Sequence, residues 1–210
     1  FGVLFLDEFP EFDRNVLEVL RQPLEDGQVT ISRALTSITY PAEFMLVAAM
    51  NPCPCGNYGS GLNDCTCQPN KISNYINKIS GPLLDRIDIH VEVPRLKKED
   101  ILSQKEGESS VEIRNRVTAA KEIQRKRFVG TKISSNSKMP PRYIKKYCIL
   151  EKSAQEILKS AVSKLNLSGR AYDRLLKISC TIADLDSSDI ILSNHLLEAI
   201  QYKVPAFFLK

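Results

Sequence analysis

The chain has 210 residues, of which 43% are hydrophobic and 26% charged, and its net charge is +4 at pH 7. This composition is typical of a soluble globular protein of one domain, or of a domain with a small partner. The sequence contains no apolar run near the roughly 20 residues of a membrane span and no signal peptide pattern, so we expect a cytoplasmic protein with no membrane partner.

Short apolar runs predict the strands of the first part of the chain. Residues 2–6 (GVLFL) and 44–50 (FMLVAAM) are continuous apolar segments, typical of buried strands in a parallel sheet. Residues 89–94 (IHVEVP) predict a third strand, closed by Pro94. These patterns favour an α/β fold for this part.

A helix and a hairpin are predicted between the first two strands. Residues 14–26 have apolar side chains at helical spacing, with Asp13 as the expected N-cap and Pro23 expected to end or kink the helix. Residues 28–44 alternate like a β-hairpin, in which Val29 and Ile31 lie on one strand and Ile38 and Tyr40 on the other.

After Pro94 the pattern becomes helical. Helices are predicted at residues 111–128, 152–168, 169–185 and 193–203. We therefore predict an α/β part at residues 1–94, a linker at 95–110 and an all-α part at 111–210.

The positive charge is unevenly distributed. Residues 95–150 contain fifteen Lys or Arg and six acids, whereas residues 1–94 contain six and twelve. This basic segment is either a solvated helix face or a surface that binds the phosphates of a nucleic acid.

Four of the six cysteines are close together, as Cys53, Cys55, Cys65 and Cys67. Four thiolates suit a structural, tetrahedral Zn²⁺ site, although C-x-C is less typical than C-x₂₋₄-C. The alternatives are reduced cysteines in an unstructured loop and disulfides formed after purification. Cys148 and Cys180 lie in apolar helical stretches and are predicted to be core residues.

Two adjacent acids, Asp7 and Glu8, follow the first strand. In α/β nucleotide-binding sheets, ligands lie beyond the carboxyl ends of the strands. One carboxylate there can hold Mg²⁺ and the next can act as a base toward water. On their own, the two acids could also have a purely structural role, as acidic residues at a strand end beside a helix N-terminus.

The motifs LFLDE, LVAAMNP, GPLLDRID and SGRAYDR occur in this order along the chain. Together they resemble the AAA+ ATPases of the helix-2-insert group, which includes the magnesium chelatase ATPase subunit and the MCM helicases. NPCPCG and SGPLLDRIDIHVEVP are similar to the magnesium-chelatase-like ComM/YifB family, and the resemblance covers essentially the whole chain.

This resemblance implies a partial AAA+ α/β core followed by an all-α lid, with ATP and Mg²⁺ as cofactors. Asp7 and Glu8 resemble Walker B, as the Mg²⁺ carboxylate and the catalytic base. Asn51 resembles sensor 1, a polar side chain that contacts the attacking water or the γ-phosphate. Arg86 resembles an arginine finger that acts on a neighbouring subunit. Arg170 resembles sensor 2, which contacts the phosphates from the lid. A finger acting between subunits implies a ring, expected to be a hexamer.

The family also requires a P-loop, GxxxxGK[ST], which this sequence lacks. We therefore expect the chain to be the C-terminal part of a longer protein and to be inactive as an ATPase alone. We also expect a sheet with unpaired edges and open apolar faces, and hence an unstable or self-associating fragment.

Two surfaces are candidates for DNA binding. In the resembled group, a hairpin before sensor 1 projects into the ring pore, and Arg33 lies near the tip of the corresponding hairpin here. The basic helix is the second candidate, with Arg114, Arg116, Arg125 and Arg127. Without a zinc-finger, homeodomain or RRM pattern, we expect contacts to the DNA backbone.

Three functions remain open from the sequence. The first is a hexameric, ATP-driven DNA motor or helicase that acts in recombination of imported DNA, as in competence. The second is a chelatase-type protein remodeller with no DNA role, and the third is a non-enzymatic interaction module. The basic segment favours the first.

Overall fold

The computed structural model describes residues 2–33, 36–61, 63–96 and 107–203. The chain forms two compact units, Phe1–Ile87 and Asp88–Lys210, which we call the α/β unit and the helical unit. Among the described residues, no helix combines the length and apolar character needed to cross a membrane.

The α/β unit is built around a parallel strand pair. Its elements are β1 (Gly2–Leu6), a 3₁₀ turn (Phe9–Glu11), α1 (Arg14–Val19), α2 (Arg21–Asp26), β2 (Gln28–Arg33), β3 (Thr36–Pro41), β4 (Phe44–Ala48), α3 (Pro69–Ile76) and α4 (Gly81–Leu84). β1 pairs with β4 in parallel, from Gly2 opposite Phe44 to Leu6 opposite Ala48. Both predicted strands are thus confirmed, and their carboxyl ends lie at the same edge.

The predicted hairpin is confirmed, and the structure gives its register. β2 and β3 pair antiparallel, with Val29 opposite Tyr40 and Ile31 opposite Ile38. On the other face, the hydroxyls of Thr30 and Thr39 lie 3.0 Å apart.

The helix predicted at residues 14–26 is two short helices. Pro23 has no N–H for the carbonyl of Val19, four residues earlier, and its ring crowds that carbonyl. The first helix therefore ends at Val19 and the second begins at Arg21. Asp13 caps α1 as predicted, because its carboxylate accepts the Asn15 N–H at 2.8 Å.

The prediction that the sheet is buried on both faces is wrong for this chain. Four apolar side chains on one face of the sheet are largely exposed: Val3 (64%), Phe5 (59%), Met45 (61%) and Val47 (41%). The opposite face lies toward a small core of Phe9, Leu17, Ile79 and Leu83. The expectation of an open apolar sheet face is confirmed.

The strand predicted at residues 89–94 is also wrong, since this segment is irregular. A strand is stabilised by a row of backbone hydrogen bonds to a neighbouring strand. Here the His90 N–H donates instead to the carbonyl of Tyr202, at 2.9 Å, and Tyr202 belongs to a helix.

Among its described residues, the helical unit contains the predicted helices and one more. Its elements are α5 (Ser110–Arg127), a 3₁₀ turn (Asn136–Lys138), α6 (Pro141–Tyr147), α7 (Lys152–Lys164), α8 (Gly169–Leu185) and α9 (Ser193–Lys203). α8 is central and packs against α5, α6 and α9. Cys148 and Cys180 are buried in this core, as predicted.

A buried polar network holds α5 against α8. Asp184 is fully enclosed, and Arg127 donates to it at 2.8 Å. The Asn136 amide donates to the same carboxylate at 2.7 Å, and the Asn136 backbone N–H donates to Gln124 at 3.1 Å. The buried charges are thereby paired and hydrogen-bonded, which their burial requires.

Candidate functional site

The two predicted carboxylates and the predicted sensor follow the carboxyl ends of the paired strands β1 and β4. The Ala49 N–H donates to the Leu6 carbonyl, and the Phe9 N–H donates to the Ala49 carbonyl, both at 2.9 Å. These bonds extend the strand pairing on both sides of Asp7 and Glu8. Asn51 follows two residues after Ala49, and all three polar side chains belong to exposed residues.

Glu8 has an unusual backbone for a non-glycine residue. Its φ is 50° and its ψ 43°, in the left-handed region. Such a conformation costs on the order of 1 kcal/mol or more and is concentrated at functional sites. The Glu8 backbone N–H donates to Asp7 Oδ1 at 2.9 Å, which holds the Asp7 carboxylate against the Glu8 backbone.

Tyr75 is a site residue that the sequence reasoning missed. It lies on α3 and is 6% exposed. Burial, aided by the negative charge of Glu11, raises the pKa of Tyr75, so the phenol stays protonated. The signal in the sequence was the helical spacing of Ile72, Tyr75 and Ile79 after Pro69.

The four clustered cysteines meet in space, and we call them the cysteine knuckle (Cys53, Cys55, Cys65 and Cys67). Their Sγ atoms all lie within 4.8 Å of one another, and no disulfide is formed among them. Cys53 is fully buried, and the other three are half-buried. The backbone N–H groups of Asn57 and Thr66 lower the pKa of Cys55 to about 5, so this cysteine is a thiolate, the form that binds metal. The cluster is compatible with a zinc site.

Arg86, the predicted finger, follows α4 and forms an ion pair with Glu25 of α2. Its guanidinium also donates to the Pro82 carbonyl at 2.6 Å, and the side chain is 12% exposed. Sequence reasoning did not identify Glu25 as a partner, because the two residues are 61 positions apart.

Arg170, the predicted sensor 2, is exposed in the first turn of α8, next to Gly169. The Ser168 hydroxyl caps this helix by accepting the Ala171 N–H at 3.2 Å. The cap therefore fixes the backbone of Arg170 at the start of the helix.

The predicted DNA residues separate into different environments. Arg33 is exposed at the last described position of β2, beside the hairpin turn. On α5, Arg114, Lys121 and Arg125 are exposed and share one face, because positions i, i+7 and i+11 fall within about 40° of one another at 3.6 residues per turn. We call these three the α5 basic stripe. Arg116 lies on a different face and pairs with Glu108.

The assignment of Arg127 to a DNA surface is corrected. Its side chain is 13% exposed and is bound to Asp184 and Asn136 in the helical core. It lies about 220° around α5 from Arg114 at 3.6 residues per turn, which turns it away from the α5 basic stripe. Arg127 is thus a structural residue.

Comparison with known proteins supports the resemblance seen in the motifs. The family model described as magnesium chelatase, subunit ChlI, matches residues 1–101, and the model for the ChlI C-terminal domain matches residues 107–203. The chain belongs to the magnesium-chelatase-like family that includes ComM and YifB, which confirms the family predicted from the sequence.

Individual relatives are similar along nearly all of the chain. The uncharacterized protein YifB of Escherichia coli is 47% identical over 204 residues, and the competence protein ComM of Haemophilus influenzae is 46% identical over 203. Each match covers 96% of this chain but 39% of the relative. The chain thus spans about two fifths of the length of these relatives.

Proposed function

We propose that this chain is the Walker B, sensor and lid portion of an AAA+ ATPase that acts on DNA as a ring-shaped, hexameric motor. The observation that supports the proposal is the position of Asp7, Glu8 and Asn51 just beyond the carboxyl ends of the paired parallel strands β1 and β4. Parallel α/β sheets bind their ligands beyond these strand ends.

Each residue has a chemical role in this proposal. Asp7 would hold the Mg²⁺ that neutralises phosphate charge, and Glu8 would accept a proton from the attacking water. Asn51 donates a hydrogen bond to the water or the γ-phosphate. Arg170 contacts the phosphates from the helical part. The P-loop that cradles the phosphates is supplied by sequence outside this chain.

Arg86 is proposed as the finger that completes the site of a neighbouring subunit. In the isolated chain its guanidinium is paired with Glu25, so it must exchange a carboxylate for a phosphoryl group when the ring assembles. A guanidinium forms bidentate bonds with either partner, which makes this exchange chemically reasonable.

The DNA-binding part of the proposal rests on Arg33 and the α5 basic stripe. Both are exposed, and neither offers a pattern for reading bases, so they contact the phosphate backbone. The name of the Haemophilus relative as a competence protein supports a role with imported DNA.

The test uses the full-length gene product and measures ATP hydrolysis without DNA, with single strands and with a four-way junction. We expect DNA to stimulate hydrolysis, and Glu8→Gln to abolish it. Glu11→Gln, the same change three residues away, is the matched control and keeps the activity. Hydrolysis that persists in Glu8→Gln would contradict the assigned base.

The DNA surface is tested by salt dependence. Replacing Arg114, Lys121 and Arg125 by Gln should reduce the slope of log affinity against log salt by about 0.7 for each phosphate of a single strand that these side chains neutralise. Replacing three exposed lysines of α7, Lys152, Lys159 and Lys164, removes the same charge and should leave the slope unchanged. If no DNA stimulates ATP hydrolysis and none binds, the protein-remodelling alternative is favoured.

A further inference from the structure

The cysteine knuckle has the dimensions of a metal site. A Zn–S bond of about 2.3 Å places the sulfurs of a tetrahedral site about 3.8 Å apart. The Sγ of Cys53 lies 3.4 Å from that of Cys55 and 3.7 Å from that of Cys65, and Cys55 and Cys65 are 3.6 Å apart. Four sulfurs occupy all positions of such an ion, so it would be structural, with no open place for a reacting water.

The backbone around the sulfurs is shaped to support this ligand set. Gly56 closes a turn by donating its N–H to the Cys53 carbonyl at 2.9 Å, and its φ of 75° favours glycine. The Tyr58 N–H donates to the Cys53 sulfur at 3.4 Å. Hydrogen bonds of this kind orient metal ligands and stabilise the thiolate charge.

The knuckle also borders Asn51. Asn51 lies two residues before the fully buried Cys53. A Cβ on Gly56 would lie 3.8 Å from Asn51 Oδ1, so the knuckle backbone faces the side-chain amide. Asn51 thus lies directly against the backbone of the knuckle.

This segment has no regular secondary structure among its described residues, which are 50–61 and 63–67. The fully buried side chain among them is that of Cys53. A loop of this kind loses much conformational entropy when it is fixed, and a metal that binds only the folded form can supply the compensating free energy.

We infer that the cysteine knuckle binds one structural Zn²⁺ and that the bound ion acts as a brace that holds Asn51 at the carboxyl edge of the β1–β4 pair. The role of Asn51 rests on the proposed ATPase function, whereas the metal site and the brace do not. In this inference the knuckle cysteines are positioning residues, because they act on the reaction through Asn51.

The metal site is tested by counting zinc in the full-length protein purified without chelators. We expect one Zn²⁺ per chain, and a strongly absorbing tetrahedral thiolate spectrum after replacement by Co²⁺. Cys67→Ser should lose the metal, Cys67→His should keep it, and Cys148→Ala, a thiol outside the knuckle, should keep it too. Absence of zinc from the wild type, or full retention in Cys67→Ser, would overturn the site.

The brace is tested by hydrogen exchange, which does not depend on catalysis. Removing zinc from the wild type should speed amide exchange at residues 50–58 by at least tenfold, while exchange in α8 stays the same. Adding Zn²⁺ back should restore protection. If zinc leaves and exchange at residues 50–58 does not change, the brace is wrong even though the metal site stands.

Kinetics then connects the brace to the proposed function. Loss of zinc should lower kcat for ATP by tenfold or more with little change in KM, and Cys67→His should restore kcat. If zinc-loaded wild type shows no ATP hydrolysis, the proposed function fails, but the zinc count and the exchange result still decide this inference.

Discussion

The two units differ in how they bury their apolar side chains. The helical unit encloses thirteen buried residues around α8, whereas the cluster in the α/β unit has four. The sheet of the α/β unit also leaves Val3, Phe5 and Met45 more than half exposed. A helix satisfies its own backbone and needs only one packed face, but a parallel sheet requires neighbouring strands and cover on both sides. Helical segments can therefore complete a core where a two-stranded sheet cannot.

The largest effect is expected from breaking the polar network of the helical unit. Asp184→Asn removes the charge that pairs with buried Arg127, leaving the guanidinium without its counterion. Breaking a buried pair in this way costs about 3–5 kcal/mol. Chemical denaturation, with hydrogen exchange in α8 as the local measure, should show this loss.

Asp189→Asn is the matched control for this prediction. It removes the same charge at an exposed position just after α8, where surface substitutions usually change stability by less than about 0.5 kcal/mol. Equal stability losses in the two variants would mean that Arg127 and Asp184 do not hold the helical core together.

A smaller effect on stability, but a clear effect on association, is expected at the open sheet face. Phe5→Thr with Val47→Thr makes two exposed positions polar, so the unfolding free energy should change by less than about 1 kcal/mol. Self-association of this chain should fall, because exposed apolar patches drive it. Sedimentation velocity over a concentration series measures the change.

Val111→Thr provides the comparison for the sheet-face variant. Val111 is 65% exposed, close to the 64% of Val3, but it lies at the start of α5 rather than on the sheet. If this change reduces association as much as the sheet variant does, the open face is not the associating surface.

The sequence predicted the local features well. The apolar runs located β1 and β4, alternation located the hairpin, and Asp13 was recognised as a cap. The position of Asp7 and Glu8 beyond a strand end also followed from the sequence, whereas Asn51 was assigned only through the family resemblance.

What the sequence could not predict depends on partners distant along the chain. The burial of Arg127 depends on Asp184, 57 positions away, and nothing in the basic run of α5 distinguishes this arginine from its exposed neighbours. The pairing of Arg86 with Glu25 is of the same kind. The apolar pattern at residues 89–94 predicted a strand, but a strand also needs a neighbour with which to pair.

The smallest expected effect is on the pH dependence of stability, and it comes from one carboxylate in each unit. The Ser80 hydroxyl and the Arg21 guanidinium, which donates to Glu18 Oε2 at 2.8 Å, lower the pKa of Glu18 below its ordinary value. Glu151, before α7, accepts hydrogen bonds from Ser153 and from the hydroxyl and N–H of Ser193, with the same result for its pKa. A lowered pKa in the folded state means that the carboxylate stabilises the fold above the unfolded pKa, and that this contribution is lost as the pH falls through the folded pKa.

Glu151→Gln should therefore reduce the melting temperature at pH 7, and the difference from wild type should shrink as the pH falls below about 4.5. Glu156→Gln removes the same charge from α7 and provides the baseline. Carboxyl NMR titration measures the pKa values of Glu18 and Glu151 directly. A Glu151 pKa at or above 4.5 would show that Ser193, at the start of α9, does not bind the carboxylate in solution, and the junction between α7 and α9 would then depend on apolar packing alone.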